Sequence, residues 1–182
     1  MKKQIFSKIV SFVMLTLLMY VVTLSGSFYQ LPDGAYIHIG DAALYAFALV
    51  LPLQVCIPVC VLGQILADAS LGSYNYIIAT MIIKALMIVA IKMIVKRSHN
   101  PLNQDCLICL SGVIMIAGYF VTDVFLAFDN QMTFVQSLAY ALDPLMYNVL
   151  QALLCAVIFM LISGFIRGYT AKKQKNEQET DV

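Results

Sequence analysis

The sequence predicts an all-α integral membrane protein, a bundle of six transmembrane helices with both termini in the cytoplasm. Of the 182 residues, 62% are hydrophobic and only 12% are charged, and the apolar residues fall in long runs. A soluble domain needs a more strongly charged surface, whereas a run of about 20 apolar residues matches the hydrocarbon thickness of a bilayer. The lipid bilayer is therefore the expected environment of the chain.

Six helices are expected within one membrane domain, residues 1–171. Residues 42–67 form either one long tilted helix or two short helices broken near Pro52, because proline disrupts helical hydrogen bonding. We predict the two short helices. The polar residues 172–182 are expected to form a disordered cytoplasmic tail. The predicted helices lie at residues 5–24, 40–53, 55–67, 76–95, 106–128 and 145–166.

Basic residues decide between the two topologies. Apart from Lys84, every Lys and Arg lies at the N-terminus, in residues 92–103 or in the C-terminal tail. Cytoplasmic loops collect such residues, and two short helices place all three regions on one side. These residues lack interleaved aromatics, so no nucleic-acid partner is expected. The N-terminus also resembles a signal peptide, but its apolar run is long for one and we expect it to remain as the first helix.

Polar side chains within the predicted helices gather toward the extracellular ends. Burying them in lipid is costly, so their positions are informative. Spacings of three or four residues keep each set on one helix face. These side chains are Gln64 and Asp68 in the third helix, Tyr76, Thr80 and Lys84 in the fourth, Tyr119 and Asp123 in the fifth, and Asn148 and Gln151 in the sixth.

Tyrosine repeats this asymmetry, since nine of the ten tyrosines fall in the predicted outer half or outer loops and only Tyr169 is cytoplasmic. An aromatic belt would populate both interfaces. The excess on one side favours a pocket that stacks on a flat ring whose edges are read by polar side chains. The alternative is a belt together with polar contacts that hold helices together.

A charged Lys84 needs an anionic or carbonyl partner at its depth in the membrane, and Asp123 or Asp68 is expected to supply it. That pair either locks two helices together or contacts a substrate. Asp41 is expected to cap the second helix by accepting backbone N–H groups.

Several common sites are absent from the sequence. His38 is not expected to bind metal, because the other histidine, His99, lies on the cytoplasmic side. No Gly-rich loop ends in Gly-Lys-Ser/Thr, and no His-Glu-x-x-His or Gly-x-Ser-x-Gly occurs. We therefore expect neither an enzyme nor a cofactor in this chain.

Residues 36–42, Tyr-Ile-His-Ile-Gly-Asp-Ala, resemble the run that opens the second helix in S components of energy-coupling factor (ECF) transporters of the hydroxymethylpyrimidine and pyridoxine group. Further stretches are similar in order and spacing, and the similarity extends to about Gln151. These stretches are Ala67-Asp68 with Gly72 and Tyr74, Ile82-Ile83-Lys84-Ala85, and residues 115–120 with Asn148 and Gln151.

The resemblance implies a six-helix S component of the bacterial cell membrane that captures a vitamin or precursor from outside. It implies association with a transmembrane T component and two cytoplasmic ATPases, which use the ATP. Small residues on the first helix contact the T component in this group, and Ser7 and Ser11 are the nearest equivalents here. The expected substrate-binding residues are Tyr36, His38, Asp68, Tyr76, Lys84, Tyr119, Asp123, Asn148 and Gln151.

Three hypotheses follow. The leading one is capture of hydroxymethylpyrimidine or a vitamin B6 form, since a ring of that size suits aromatic stacking with a few hydrogen bonds. A second is a proton-coupled secondary transporter that uses Lys84, Asp68 and Asp123 as a relay. A third is an assembly protein whose polar residues only hold helices together.

Overall fold

The computed structural model describes residues 2–30, 36–98 and 100–180. Helices dominate these ranges, and one small two-stranded sheet interrupts them. In chain order the elements are α1 (Lys2–Ser25), β1 (Ser27–Gln30), β2 (Tyr36–His38), α2 (Gly40–Val50), α3 (Leu53–Ser70), a 3-10 turn (Tyr74–Tyr76), α4 (Ile77–Arg97), α5 (Pro101–Leu110), α6 (Gly112–Asp129), α7 (Phe134–Tyr140) and α8 (Leu142–Thr180).

Five helical stretches in the described part of the chain are long and apolar enough to cross a bilayer. They comprise α1, α3, the 3-10 turn with α4, α5 with α6, and α7 with α8. Large apolar side chains point outward from them, including Phe6 (70% exposed), Leu161 (78%) and Phe165 (80%). Such a surface is stable in lipid and not in water. The chain is thus an all-α, multi-pass membrane protein.

The second helix is the exception in length. α2 has 11 residues, which span about 16 Å at 1.5 Å per residue, well short of the hydrocarbon core. Leu44, Tyr45 and Ala48 are fully buried, so α2 lies in the centre of the bundle, where it packs against α4 and α8. Tyr45 contacts Phe159 edge-on, with ring centroids 5.6 Å apart.

The helix break falls where the proline predicts it. α2 ends at Val50, and Pro52 occupies the N-cap position of α3 in extended backbone. The Lys92 ammonium donates to the Leu51 carbonyl and so satisfies a backbone group that the break exposes. Two short helices therefore replace the long tilted alternative.

Other boundaries differ from those predicted. The fifth helical stretch starts at Pro101 instead of residue 106, because Asn100 accepts the backbone N–H groups of Leu102 and Asn103 and caps it. This stretch is also broken at Ser111, between α5 and α6.

The last helix is longer at both ends than predicted. α7 precedes it behind a capping box at Thr133 and Gln136. α8 itself continues to Thr180, so helix extends into the segment expected to be a disordered tail. Lys, Gln and Glu dominate that segment, and these residues favour helix. Residues 181 and 182 lie outside the described residues.

Strands β1 and β2 pair antiparallel at one end of the bundle, with Tyr29 opposite Ile37. We call this the sheet end. The opposite end carries the α2–α3 and α4–α5 connections, and we call it the basic end because Lys92, Lys96 and Arg97 lie there.

Close helix packing positions the walls of the bundle. A Cβ on Gly63 would lie 2.7 Å from the Met19 Cβ, so α3 and α1 approach more closely than a larger residue allows. A Cβ on Gly118 would lie 2.6 Å from Ile83, which brings α6 equally close to α4. The helices that carry the polar side chains are thereby held in fixed relative positions.

Candidate functional site

A cavity of about 30 Å³ lies at the sheet end of the bundle. Eight of the nine side chains predicted from the sequence line it, together with two that the prediction omitted, Ser73 and Thr80. The exception is Lys84, which does not line the cavity. The lining residues are Tyr36, His38, Asp68, Ser73, Tyr76, Thr80, Tyr119, Asp123, Asn148 and Gln151.

Five parts of the chain supply these residues. Strand β2 contributes Tyr36 and His38, and the end of α3 together with the connection that follows it contributes Asp68, Ser73 and Tyr76. The remaining groups come from α4, α6 and the early turns of α8. The sequence spacing could have placed Thr80 in the site, because it lies four residues after Tyr76 and therefore on the same helix face.

Two carboxylates form part of the cavity wall, and each accepts a tyrosine hydroxyl. Tyr36 donates to Asp68 Oδ1 (2.7 Å), and Tyr76 donates to Asp123 Oδ1 (2.8 Å). We call Asp68 and Asp123 the wall carboxylates. Burial, followed by the adjacent Asp68 carboxylate, raises the pKa of Tyr36 well above its usual range. The phenol therefore keeps its proton and remains a donor.

Aromatic rings complete the wall. The Tyr76 and Tyr119 rings meet edge-to-face, with centroids 6.1 Å apart. Thr80 and the Tyr119 hydroxyl are within hydrogen-bonding distance at 3.0 Å. The Tyr36 ring lies 5.1 Å from that of His38. A flat apolar ring can stack among such groups while its edges reach polar atoms.

Lys84 is paired with a different aspartate from the one predicted. Its Nζ lies 2.6 Å from Asp41 Oδ1, and both side chains are fully buried. The prediction of Asp123 or Asp68 was wrong, because those carboxylates face the cavity and bond tyrosine hydroxyls. Lys84 Nζ also lies 5.3 Å from the centre of the Tyr119 ring, a favourable cation–π distance.

The prediction that Asp41 caps α2 was wrong as well. Ile39 occupies the N-cap position, and its side chain makes no capping hydrogen bond. The Asp41 carboxylate turns into the bundle instead, where it accepts from Lys84 and from the amides of Gln151 (2.8 Å) and Gln64 (3.4 Å). We call Asp41, Gln64, Lys84 and Gln151 the floor cluster.

His38 joins the floor cluster to the cavity wall. Its backbone N–H donates to Gln151 Oε1 (3.1 Å), and its ring Nδ1 accepts the Gly40 N–H (2.9 Å). Burial lowers the pKa of His38 to about 4, an effect that the nearby Lys84 reinforces and Asp41 opposes. The imidazole is therefore neutral at physiological pH.

The remaining predicted residues lie elsewhere. Ser7 and Ser11 are exposed on the outer face of α1, apart from the cavity. Among the described residues, no three His, Cys, Asp or Glu side chains are grouped so as to hold a metal ion.

Comparison with known proteins assigns the family. No curated protein and no solved structure matches the chain. A family model described as ECF-type riboflavin transporter, S component, matches residues 6–170, which is most of the chain and includes every residue that lines the cavity. The chain therefore belongs to the family of ECF-type riboflavin transporter S components.

Proposed function

We propose that this chain is the S component of a bacterial ECF importer and captures a small heteroaromatic vitamin or precursor of the hydroxymethylpyrimidine or vitamin B6 type. Family membership supports the S-component role. The observation that carries the substrate class is the cavity, where phenol rings and hydrogen-bonding groups from five parts of the chain converge.

Cavity size favours a single ring over a flavin. At about 30 Å³, the space holds about one or two water molecules, so any ligand must displace side chains. A monocycle requires less displacement than the three fused rings of riboflavin, after which the family model is described. Riboflavin is therefore the comparison ligand, and it should bind more weakly than the single-ring compounds.

The proposed topology has six spans, with both termini in the cytoplasm of a bacterial cell and the cavity open to the outside. The short buried α2 counts as the sixth span. The distribution of charge supports this orientation, since Lys and Arg collect at the basic end and cytoplasmic segments are rich in them.

Family membership implies association with a T component and two ATPase subunits, which would bind and use the ATP. The outer face of α1 is the surface we propose for the T component. Ser7 and Ser11 lie on that face and are exposed, and small residues allow close helix–helix approach within a membrane.

The proton-coupled alternative is less well supported. A relay through Lys84, Asp68 and Asp123 needs exchange of protons among them. Lys84 instead bonds Asp41 at 2.6 Å, and the wall carboxylates bond tyrosine hydroxyls. The described contacts thus separate the lysine from the two aspartates of the relay.

The test is ligand binding by the purified chain in detergent. Calorimetry should show micromolar or tighter binding of hydroxymethylpyrimidine or pyridoxine. Asn148→Ala, in the cavity lining, should weaken binding about tenfold through loss of a buried hydrogen bond. Asn103→Ala, at an exposed position in α5, is the matched control and should leave affinity unchanged.

Two results would contradict the proposal. One is no heat with any pyrimidine, pyridine or flavin. The other is uptake by liposomes that contain this chain alone, abolished by an uncoupler, which would identify a secondary transporter.

A further inference from the structure

The charges that face the cavity are not balanced. Its lining includes the two wall carboxylates, and among the described residues no Lys or Arg side chain lines it. His38, which also lines it, is neutral. A ligand therefore meets negative charge and hydrogen-bond acceptors on the wall.

Among the described residues, Lys84 is a buried cation near the cavity, and it is already paired with Asp41. Lys84 and Asp41 are both fully buried and lie 2.6 Å apart, and the Gln151 amide donates to the second oxygen of Asp41. Withdrawing Lys84 toward a ligand would leave Asp41 as a buried, unpaired anion, which is strongly unfavourable. A ligand anion would therefore meet no unpaired Lys or Arg side chain among the described residues that line the cavity.

Asp68 has the capacity to accept a further donor. Its Oδ1 receives the Tyr36 hydroxyl, whereas Oδ2 is buried and has no hydrogen-bond partner among the described residues. An ionised carboxylate can only accept hydrogen bonds, and a buried acceptor that remains unpaired is costly. This oxygen favours a ligand that brings an N–H or O–H group.

His38 presents the opposite polarity. Because Nδ1 accepts the Gly40 N–H, the ring proton is on Nε2. The Gln151 Nε2 lies 3.3 Å from it, but the amide orientation is fixed by two bonds, with Oε1 accepting from His38 N–H and Nε2 donating to Asp41. Two N–H groups meet there, so the Gln151 amide does not provide an acceptor for the His38 Nε2–H.

We propose that this site selects a heteroaromatic ring with an amino or protonated group toward the wall carboxylates and an acceptor atom toward His38, and that it rejects rings with a carboxylate or phosphate. The inference rests on the proposed function, since it takes the cavity as the capture site. It assigns Asp68 and Asp123 as the residues that determine charge selectivity.

The experiment compares ligands of nearly equal size on the purified wild-type chain at neutral pH. One pair is hydroxymethylpyrimidine and its oxo analogue, in which a carbonyl replaces the amino group. The other is pyridoxamine and pyridoxic acid, in which a carboxylate replaces the aminomethyl group. The amino member of each pair should bind at least about tenfold more tightly, as expected for hydrogen bonds to a charged acceptor.

Two isosteric variants then locate the origin of the preference. Asp68→Asn and Asp123→Asn remove one charge each and should reduce the ratio within a pair to about threefold or less. Asp129→Asn is the matched control, because Asp129 is exposed at the end of α6, and it should keep the wild-type ratio. The wild-type comparison needs no variant and decides the inference even where a variant does not fold.

Failure of the inference is distinct from failure of the proposed function. Binding of the oxo or carboxylate member as tightly as the amino member would overturn the charge selectivity while leaving a functional S component. Tighter binding of riboflavin than of every amino ring would instead overturn the substrate class of the proposed function. Absence of binding by every ring overturns the proposed function itself.

Discussion

Asp41 in the floor cluster and the two wall carboxylates are the same side chain in two different settings. Asp41 accepts from a lysine ammonium and from two side-chain amides, and it is fully buried. Asp68 and Asp123 each accept a tyrosine hydroxyl at the cavity surface. The floor cluster is thus held by a charged pair, whereas neutral donors contact the wall carboxylates.

The difference in partners suggests different roles for the floor cluster and for the wall carboxylates. Breaking a buried ion pair leaves an uncompensated charge, so the floor cluster resists rearrangement. Exchanging a tyrosine hydroxyl for a ligand donor keeps the carboxylate satisfied, and the net change in free energy is small. On the proposed function, the polar residues of the bundle therefore divide into those that fix the helices and those that bind a ligand.

The largest effect should come from Lys84→Met. Removing the ammonium leaves Asp41 buried and unpaired, and the free energy of unfolding should fall by about 3–5 kcal/mol. Asp123→Asn, on the wall, should cost less than about 1 kcal/mol because its amide oxygen still accepts the Tyr76 hydroxyl. Denaturant or thermal unfolding in detergent measures both variants.

A double variant sharpens the test. Lys84→Met with Asp41→Asn removes both charges, and it should recover at least half of the stability lost in the single variant. Equal losses in the single and double variants would show that the pair is not energetically coupled, and the distinction between floor and wall would fail.

A smaller effect on the free energy of unfolding should depend on pH and come from His38, which connects the floor cluster to the cavity wall. The unfolded imidazole protonates near pH 6.5, whereas the folded pKa is about 4. Between these values the unfolded chain binds more protons, so stability is complete above about pH 7 and is lost as pH falls. From pH 6.5 to 4.5 this amounts to about 2 kcal/mol.

His38→Asn isolates this contribution. The asparagine oxygen can accept the Gly40 N–H in place of Nδ1, and it does not titrate. The stability advantage of the wild type over the variant should therefore shrink on acidification by about 2 kcal/mol. Identical pH profiles would mean that His38 is not held neutral beside Asp41, Lys84 and Tyr36.

The sequence locates the cavity well because membrane energetics restrict where polar groups can lie. A polar side chain on a lipid-facing surface is costly. Polar side chains spaced three or four residues apart at the same end of four helices are therefore expected to face a shared interior. The break at Pro52 follows equally from local chemistry. Both predictions depend on properties of a residue and its near neighbours.

The pairing of Lys84 could not be predicted in the same way. The sequence shows that a buried lysine needs an anion, but Asp41, Asp68 and Asp123 all lie near the same end of the bundle. The choice of Asp41, 43 residues away, depends on how α2 crosses α4 and on which direction each carboxylate points. The capping prediction for Asp41 used only its position at the start of α2. Its carboxylate pairs instead with Lys84, which needs a counter-ion where it is buried.

The small sheet was not predicted for a related reason. β1 has four residues and β2 has three, too few for a pattern of alternation to be recognised. Its pairing places Tyr36 and His38 at the cavity, yet this arrangement depends on contacts with α3 and α8 that the local sequence does not show.

The smallest effect should come from Tyr36→Phe, which removes the donor to Asp68 without changing ring size. The bond is partly buried, so water can replace the hydroxyl, and the cost in unfolding free energy should be about 1 kcal/mol. Tyr74→Phe is the control, because Tyr74 is 66% exposed, and it should change stability by less than about 0.5 kcal/mol. Thermal unfolding without ligand measures both.

The Tyr36 variant also tests the role assigned to the wall. If ligand donors replace tyrosine hydroxyls there, the difference in stability between Tyr36→Phe and wild type should diminish when saturating ligand is added, since Asp68 then has another donor. A loss of about 3 kcal/mol or more, unchanged by ligand, would place Asp68 with Asp41 among the carboxylates that hold the bundle together.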